Sequence, residues 1–88
     1  MQIGKVAGTV TATAKDAQLV GLKLLLTDMV DGKGKLLSPA QVAVDTCGAG
    51  VGDTVMVVRG TAARMAAGLS TAPVDMAIIA IVDRVSLS

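Results

Sequence analysis

Residues 43–58 read A-V-D-T-C-G-A-G-V-G-D-T-V-M-V-V, which places a glycine-rich loop between two apolar runs typical of β-strands. Glycine occupies positions 48, 50 and 52, and the carboxylates of Asp45 and Asp53 flank them. Because glycine has no Cβ, it reaches positive φ and allows another backbone to come close. The loop is therefore expected to approach something closely: a phosphate, a nucleic acid or another copy of the chain.

On both sides of this loop, alternating or β-branched apolar residues predict five strands in the whole chain. They cover residues 3–14, 22–29, 41–44, 54–59 and 76–82. Gly4 and Gly8 are expected to mark bulges or bends in the first strand. Residues 31–34, D-G-K-G, predict a hairpin turn, because glycine supplies the positive φ such turns require.

A short helix is predicted over residues 60–68, with Thr61 as its N-cap and Gly68 at its end. A loop over residues 69–73 and an edge or tail over residues 83–87 complete the chain. Five strands and one short helix indicate an all-β fold, a small five-stranded OB-like barrel. The whole of residues 1–88 is expected to form one domain.

The composition is unusual for so small a core. Phe, Tyr and Trp are absent, yet 52% of the 88 residues are hydrophobic and 17% are charged. The mean hydropathy is +0.68. Since so apolar a chain exposes more apolar surface than a monomer of this size tolerates, we expect an oligomer.

Several classes of protein are disfavoured by the same composition. Charges interrupt each apolar run before the roughly 20 residues that a membrane span needs. The net charge is +1 and the lysines are scattered, so no footprint for nucleic acid or anionic lipid is visible. The single cysteine, Cys47, cannot form an internal disulfide, which fits a reducing cytosol, and it is expected to be a small buried hydrophobic residue.

Catalytic chemistry is also disfavoured. Histidine is absent, which removes Ser-His and Cys-His arrangements and the commonest metal ligand. No carboxylate spacing favours a catalytic pair, no zinc or calcium ligand set is present, and no cofactor is expected. The glycine loop lacks both the dinucleotide fingerprint and the lysine of a phosphate loop.

One alternative function stays open on fold grounds, an OB-like binding module for a small molecule or single-stranded nucleic acid. Binding of single strands normally uses aromatic stacking in a basic groove. This chain offers neither feature. The more specific interpretation of the loop is therefore close packing against a neighbouring subunit.

The sequence resembles the EutN/CcmL family, the pentameric vertex proteins of bacterial microcompartment shells. Five segments in order carry the resemblance: M-Q-I-G-K-V-A-G-T-V at 1–10, G-L-K-L-L-L at 21–26, V-A-V-D-T-C-G-A-G-V-G-D-T-V at 42–55, R-G-T-A-A-R at 59–64 and P-V-D-M-A-I-I-A-I-V-D at 73–83. The chain departs from the family pattern at Cys47, where Val is usual, at Asp53, where Glu is usual, and at Thr61-Ala62, where Ser-Ser or Ser-Ala is common.

The resemblance implies a five-stranded barrel that assembles as a homopentamer and caps the vertices of a shell otherwise tiled by hexameric proteins. It implies a structural protein and not an enzyme, located in the cytoplasm within a carboxysome-related shell. Its partners would be further copies of itself and the hexameric shell proteins, with no nucleic acid and no membrane. Because the sequence ends at Ser88, we expect a catabolic compartment somewhat more than a carboxysome.

Two groups of residues are predicted to serve this assembly. Gly48, Ala49, Gly50 and Val51 are expected to lie near a subunit contact or the five-fold pore. Arg64 and Asp75 fall in segments that match the family, and they could form a charge-assisted pair within or between subunits. Two separate solvated charges are the equally acceptable alternative for Arg64 and Asp75.

Overall fold

The strands of the chain close into a barrel in a computed structural model, which describes residues 1–68 and 72–87. The elements are β1 (Gln2–Val10), a 3-10 turn (Ala17–Leu19), β2 (Leu24–Val30), β3 (Leu36–Asp45), β4 (Thr54–Arg59), α1 (Gly60–Ala66) and β5 (Met76–Ile81). The strands are ordered β1-β2-β3-β5-β4 around the barrel. Four neighbouring pairs are antiparallel, and β3 and β5 form a parallel pair. The predicted all-β class, with five strands and one short helix, is confirmed.

The barrel interior is filled by aliphatic side chains and methionines from all five strands and by Ala49 of the glycine loop. Its buried members are Val6, Leu25, Met29, Ala43, Ala49, Val55, Val57, Met76 and Ile78. Thr27 is a buried polar residue beside this cluster, and its hydroxyl donates a hydrogen bond to the Leu25 carbonyl at 3.5 Å. Because the residues are small, the barrel is narrow enough to be packed without a single aromatic ring.

A second apolar cluster lies outside the barrel, under α1. It is formed by Val44, Val58, Ala63, Ala72, Val74 and Ala77, with Leu19, Leu22, Leu24, Ala67 and Ile79 packed against it. The strands β3, β4 and β5 are therefore covered on both faces where α1 lies. That double burial explains why residues 57–58 and 76–79 lack the polar alternation of a half-exposed strand.

Two strands differ from their prediction by more than two residues at one end. β1 ends at Val10, and the Thr/Ala alternation over residues 11–14 continues as non-strand chain with Thr11 and Thr13 exposed. β3 begins at Leu36 and not at residue 41, because its first half pairs with β2 beyond the barrel as a hairpin. Ala40 has φ 59 in this half, and the register shifts beside it.

The turns largely follow their sequence signatures. Asp31 N donates to the Lys35 carbonyl at 2.9 Å, and the Asp31 carboxylate accepts from the N–H groups of Lys33 and Lys35, both at 2.9 Å. The predicted hairpin turn is thus confirmed, with Gly34 at φ 85. Gly68, at φ 73, follows the end of α1 as predicted.

The predicted N-cap of the helix is wrong. Arg59 holds the N-cap position without a side-chain hydrogen bond, and Thr61 lies inside α1, where its hydroxyl accepts from the Arg64 guanidinium at 3.1 Å. The predicted loop over residues 69–73 lies outside the described residues for positions 69–71.

The two glycines of β1 have different roles. The pairing of β1 with β2 shifts register between Val6 and Gly8, so Gly8 adjoins a bulge as expected. Gly4 keeps regular register, so the bulge predicted there is wrong. A Cβ at Gly4 would lie 2.7 Å from Cγ2 of Thr27, which makes Gly4 a site of close strand packing.

No helix within residues 1–68 and 72–87 is long and apolar enough to cross a membrane.

Candidate subunit interface

The glycine loop between β3 and β4 is folded by the two carboxylates that flank it. The Asp45 carboxylate accepts from the N–H groups of Cys47 at 3.2 Å and Gly48 at 3.1 Å. The Asp53 carboxylate accepts from the N–H of Gly50 at 2.8 Å. Each aspartate therefore satisfies backbone donors within three residues of itself, as aspartates commonly do in turns.

Lys23, at the start of β2, secures the same loop from the side. Its ammonium donates to the Ala49 carbonyl at 2.7 Å and lies 3.3 Å from Oδ2 of Asp45. The Asp45 side chain is 1% exposed and that of Lys23 is 52% exposed, so the cation covers a buried carboxylate from the solvent side. Sequence reasoning missed Lys23, because nothing in G-L-K-L-L-L identifies a partner 22 residues away.

This environment shifts two ionisable groups. Burial raises the pKa of Asp45, but the N–H groups of Cys47 and Ala49 and the Lys23 ammonium outweigh burial and hold the pKa below its ordinary value. Desolvation, followed by the charge and hydrogen bond of Asp45, raises the pKa of the Cys47 thiol. The thiolate, which is the reactive form, is therefore disfavoured. Cys47 is exposed, so the expectation that it is buried is wrong.

The loop is also built into the barrel. The N–H of Gly52 donates to the Val6 carbonyl at 2.9 Å, and the N–H of Val6 donates to the Asp53 carbonyl at 3.0 Å. At the other end, the N–H of Thr46 donates to the Ile78 carbonyl at 3.2 Å, and the Thr46 hydroxyl donates to the same oxygen at 2.8 Å. The loop is thus hydrogen-bonded to β1 and β5 within a single subunit.

These internal bonds bear on what the loop can bind. An anion cradle needs several backbone N–H groups aimed outward together. Here the N–H groups of Thr46, Cys47, Gly48, Gly50 and Gly52 all donate within the chain. The arrangement therefore disfavours phosphate as the group that the loop approaches.

The three loop glycines differ in what they require. Gly48 and Gly52 have φ 82 and φ 94, a region that glycine adopts readily and other residues do not. Gly50 has no positive φ, and a Cβ there would meet nothing nearer than Oδ2 of Asp53 at 3.9 Å. Next to it, Val51 is 64% exposed. Nothing inside the subunit requires Gly50 to be glycine, and the close approach of a second chain to this position stays a prediction.

The structure brings together Gly48, Ala49, Gly50 and Val51, but Arg64 and Asp75 do not pair within the chain. The Arg64 guanidinium donates to the Val74 carbonyl at 3.3 Å and to the Thr61 hydroxyl. Within the described ranges, the ion pair between Lys23 and Asp45 is the one that forms. The intrachain form of the Arg64–Asp75 pair is therefore wrong, and the form between subunits stays a prediction.

The described part of the chain contains no cluster of three or more potential metal-ligating side chains of His, Cys, Asp or Glu.

Comparison with known proteins identifies the family. The family model described as "Ethanolamine utilisation protein EutN/carboxysome" matches residues 1–83. The chain belongs to the EutN/CcmL family. Its curated relatives include the carboxysome shell vertex protein CcmL of Nostoc sp., which is 49% identical over 97% of this chain and 85% of the relative. The bacterial microcompartment shell vertex protein EutN of Escherichia coli K12 is 39% identical over 97% of this chain and 90% of the relative.

Among solved structures, the GrpN pentameric microcompartment shell protein from Rhodospirillum rubrum is similar throughout. The two chains are 40% identical, with a TM-score of 0.89 and complete coverage of both. The EutN/CcmL resemblance recognised in the sequence is thus confirmed, as is its relation to carboxysome proteins. The higher identity to a carboxysome protein gives no support to the expected catabolic compartment, which stays untested.

Proposed function

We propose that this EutN/CcmL chain is a structural shell protein that forms homopentamers and caps the vertices of a bacterial microcompartment. The observation that carries the proposal is the likeness to the pentameric GrpN, at 40% identity across the whole of both chains. Relatives named as shell vertex proteins support it. A flat six-fold layer closes into a polyhedron only at five-fold points, so the role is geometric and requires no chemistry.

Properties of this chain agree with such a role. A ring of identical subunits needs two different surfaces that fit each other. Consistent with this need, several large apolar side chains are exposed on a single subunit. They include Leu37 at 62%, Val42 at 47%, Val51 at 64% and Val85 at 39%. Apolar side chains exposed in such number mark association surfaces. A non-enzymatic role fits the absence of histidine and the raised pKa of the one thiol.

Within the pentamer, we place Gly48, Ala49, Gly50 and Val51 at a subunit contact or around the five-fold pore. The freedom of Gly50 from any requirement inside the subunit supports this placement. Hexameric shell proteins are the proposed outer partners.

Native mass spectrometry tests the proposal directly. The wild-type chain should give a mass five times the 8.8 kDa of one chain, and a monomer or dimer would overturn it. Gly50→Leu should lose the pentamer while circular dichroism stays unchanged. The matched control is Gly8→Leu, since Gly8 also has no positive φ and a Cβ there would meet nothing nearer than 3.9 Å. An intact Gly50→Leu pentamer would remove the loop from the interface.

A second experiment tests the vertex role. Co-expression of this chain with a hexameric shell protein should give closed polyhedral particles by electron microscopy, and the hexamer alone should give sheets or tubes. Equal morphology in both samples would contradict the vertex role even if the pentamer itself forms.

A further inference from the structure

The outer face of the barrel carries an open apolar groove where β1 meets β4. We call it the β1–β4 groove, and it has a volume of about 460 Å³. Its lining includes Ile3, Val30, Leu37, Met56, Val85 and Arg84. Ile3 and Met56 are paired across the two strands, and they lie on the opposite side from the barrel interior. A solvent-facing sheet surface is normally polar, so this apolar surface lacks the cover that α1 gives to β5.

A smaller apolar hollow lies elsewhere on the barrel, between the end of β3 and the start of β5. We call it the β3–β5 hollow, and its volume is about 180 Å³. Its lining includes Leu24, Val42, Val44, Val74, Met76 and Asp75. Among these side chains Val42 is 47% exposed, so the hollow too presents apolar surface to solvent.

The two surfaces are well separated on one subunit. Leu24 and Val30 are the two ends of β2, and each lines a different surface. Six residues of strand at ~3.3 Å per residue put these ends about 20 Å apart. The two surfaces are therefore separate patches of the subunit.

The charges of the two surfaces are opposite. Among the described lining residues, Arg84 is the ionisable side chain of the β1–β4 groove and Asp75 is that of the β3–β5 hollow. Both are exposed, and neither forms an ion pair in the part of the chain that the structure describes. Arg64 is engaged by the Val74 carbonyl and Thr61 and leaves the Asp75 carboxylate open. Each surface is thus mainly apolar, and the charged side chain of one surface is opposite in sign to that of the other.

We propose that the β1–β4 groove of one subunit seats against the β3–β5 hollow of a second copy, with Arg84 facing Asp75 across the contact. The inference rests on the proposed ring and specifies its lateral interface. Two unlike surfaces repeated in every copy give the head-to-tail contact that a closed ring needs. The apolar side chains exclude water at the centre of the contact, and the charge pair sets the register of the two subunits.

A charge reversal tests the pairing. Arg84→Asp and Asp75→Arg should each raise the dissociation constant of the oligomer about tenfold or more, because each puts two like charges together. The double variant Asp75→Arg/Arg84→Asp should restore assembly to near the wild-type level, since the pair is re-formed in reverse. Lys15→Glu, an exposed charge outside both surfaces, is the matched control and should leave assembly unchanged.

The outcomes separate this inference from the proposed function. If the wild-type chain is a pentamer and the double variant is no better than the single variants, the pairing is overturned while the pentamer stands. If single reversals leave assembly unchanged, the pairing is likewise overturned. A monomeric wild-type chain overturns the proposed function itself.

A second pair of variants tests the apolar part of the contact. Leu37 is 62% exposed in the β1–β4 groove, and Met65 is 75% exposed on α1, outside both surfaces. Leu37→Ser should weaken assembly measured by sedimentation velocity, whereas Met65→Ser should not. Equal effects of the two substitutions would exclude the groove as the contact.

Discussion

Lys23 and Asp45 form an ion pair at the base of the glycine loop, with Nζ 3.3 Å from Oδ2. The same Lys23 ammonium donates to the Ala49 carbonyl, and the same Asp45 carboxylate accepts from Cys47 and Gly48. These two side chains thus hold residues 47–49, the first half of the loop that we place at the subunit contact.

Removing the Asp45 carboxylate should destabilise the subunit. Asp45→Ala leaves the N–H groups of Cys47 and Gly48 without their charged acceptor, and a hydrogen bond to a charged group contributes about 1.5–3 kcal/mol. Lys23→Met should cost less, about 0.2–1 kcal/mol, because the Lys23 side chain is half exposed and its attraction is screened by water.

The measurement is urea unfolding at one fixed protein concentration, since dissociation of an oligomer makes apparent stability depend on concentration. If Lys23→Met cost more than Asp45→Ala, the carboxylate would not be the main support of the loop.

The stability of the protein should fall in acid partly through Asp45. Its pKa is lowered in the folded chain, so its contribution to stability is complete above the pKa of the unfolded chain, about 3.9. That contribution is lost as the pH falls through the lower folded pKa.

Asp45→Asn lacks this titration. Free energies of unfolding measured from about pH 6 to about pH 2 should therefore fall more steeply for the wild type than for the variant. Parallel pH profiles would show that the carboxylate is not stabilised in the folded state.

The loop glycines should separate into two classes on substitution by alanine. Gly48→Ala and Gly52→Ala place a Cβ at φ 82 and φ 94, which should cost about 1–2 kcal/mol each. Gly50→Ala should change the stability of the subunit by less than about 0.5 kcal/mol, because neither conformation nor space inside the chain forbids a methyl group there. A large loss of subunit stability in Gly50→Ala would mean that its constraint is internal.

The contact of Gly4 with Thr27 should be sensitive to a single methyl group. A Cβ at Gly4 would lie 2.7 Å from Cγ2 of Thr27, so Gly4→Ala should cost about 1–3 kcal/mol by overpacking. The double variant Gly4→Ala/Thr27→Ser removes that methyl group and should recover part of the loss relative to Thr27→Ser alone. Additive effects in the double-mutant cycle would contradict the contact.

The strands that the sequence predicts best are those buried on both faces. Residues 55, 57 and 58 are β-branched because Val55 and Val57 face the barrel interior and Val58 faces the cluster under α1. Burial of this kind leaves a continuous apolar run that is visible without a structure. The same reasoning located β5 to within one residue.

The wrongly predicted strand boundaries have a different physical cause, because they depend on pairing with strands that are distant in the sequence. Residues 11–14 continue the alternation of β1, but no strand lies beside them, and pattern alone cannot reveal a missing neighbour. The first half of β3 contains Ser38, Pro39 and Ala40, a composition typical of loops, and it is a strand only because β2 pairs with it. The site was predicted in part: the glycines mark the loop, while Lys23 is found only once β2 is placed beside it.

Ala49 belongs to the barrel core, where it is 0% exposed, although it lies in the glycine loop. The loop therefore cannot stay unfolded while the barrel closes, and it reaches its final shape in the isolated subunit. Ordering a flexible segment at a contact costs conformational entropy, and a segment ordered beforehand avoids that cost. The subunits would then associate as rigid bodies, because the loop has lost its conformational entropy during folding of the subunit.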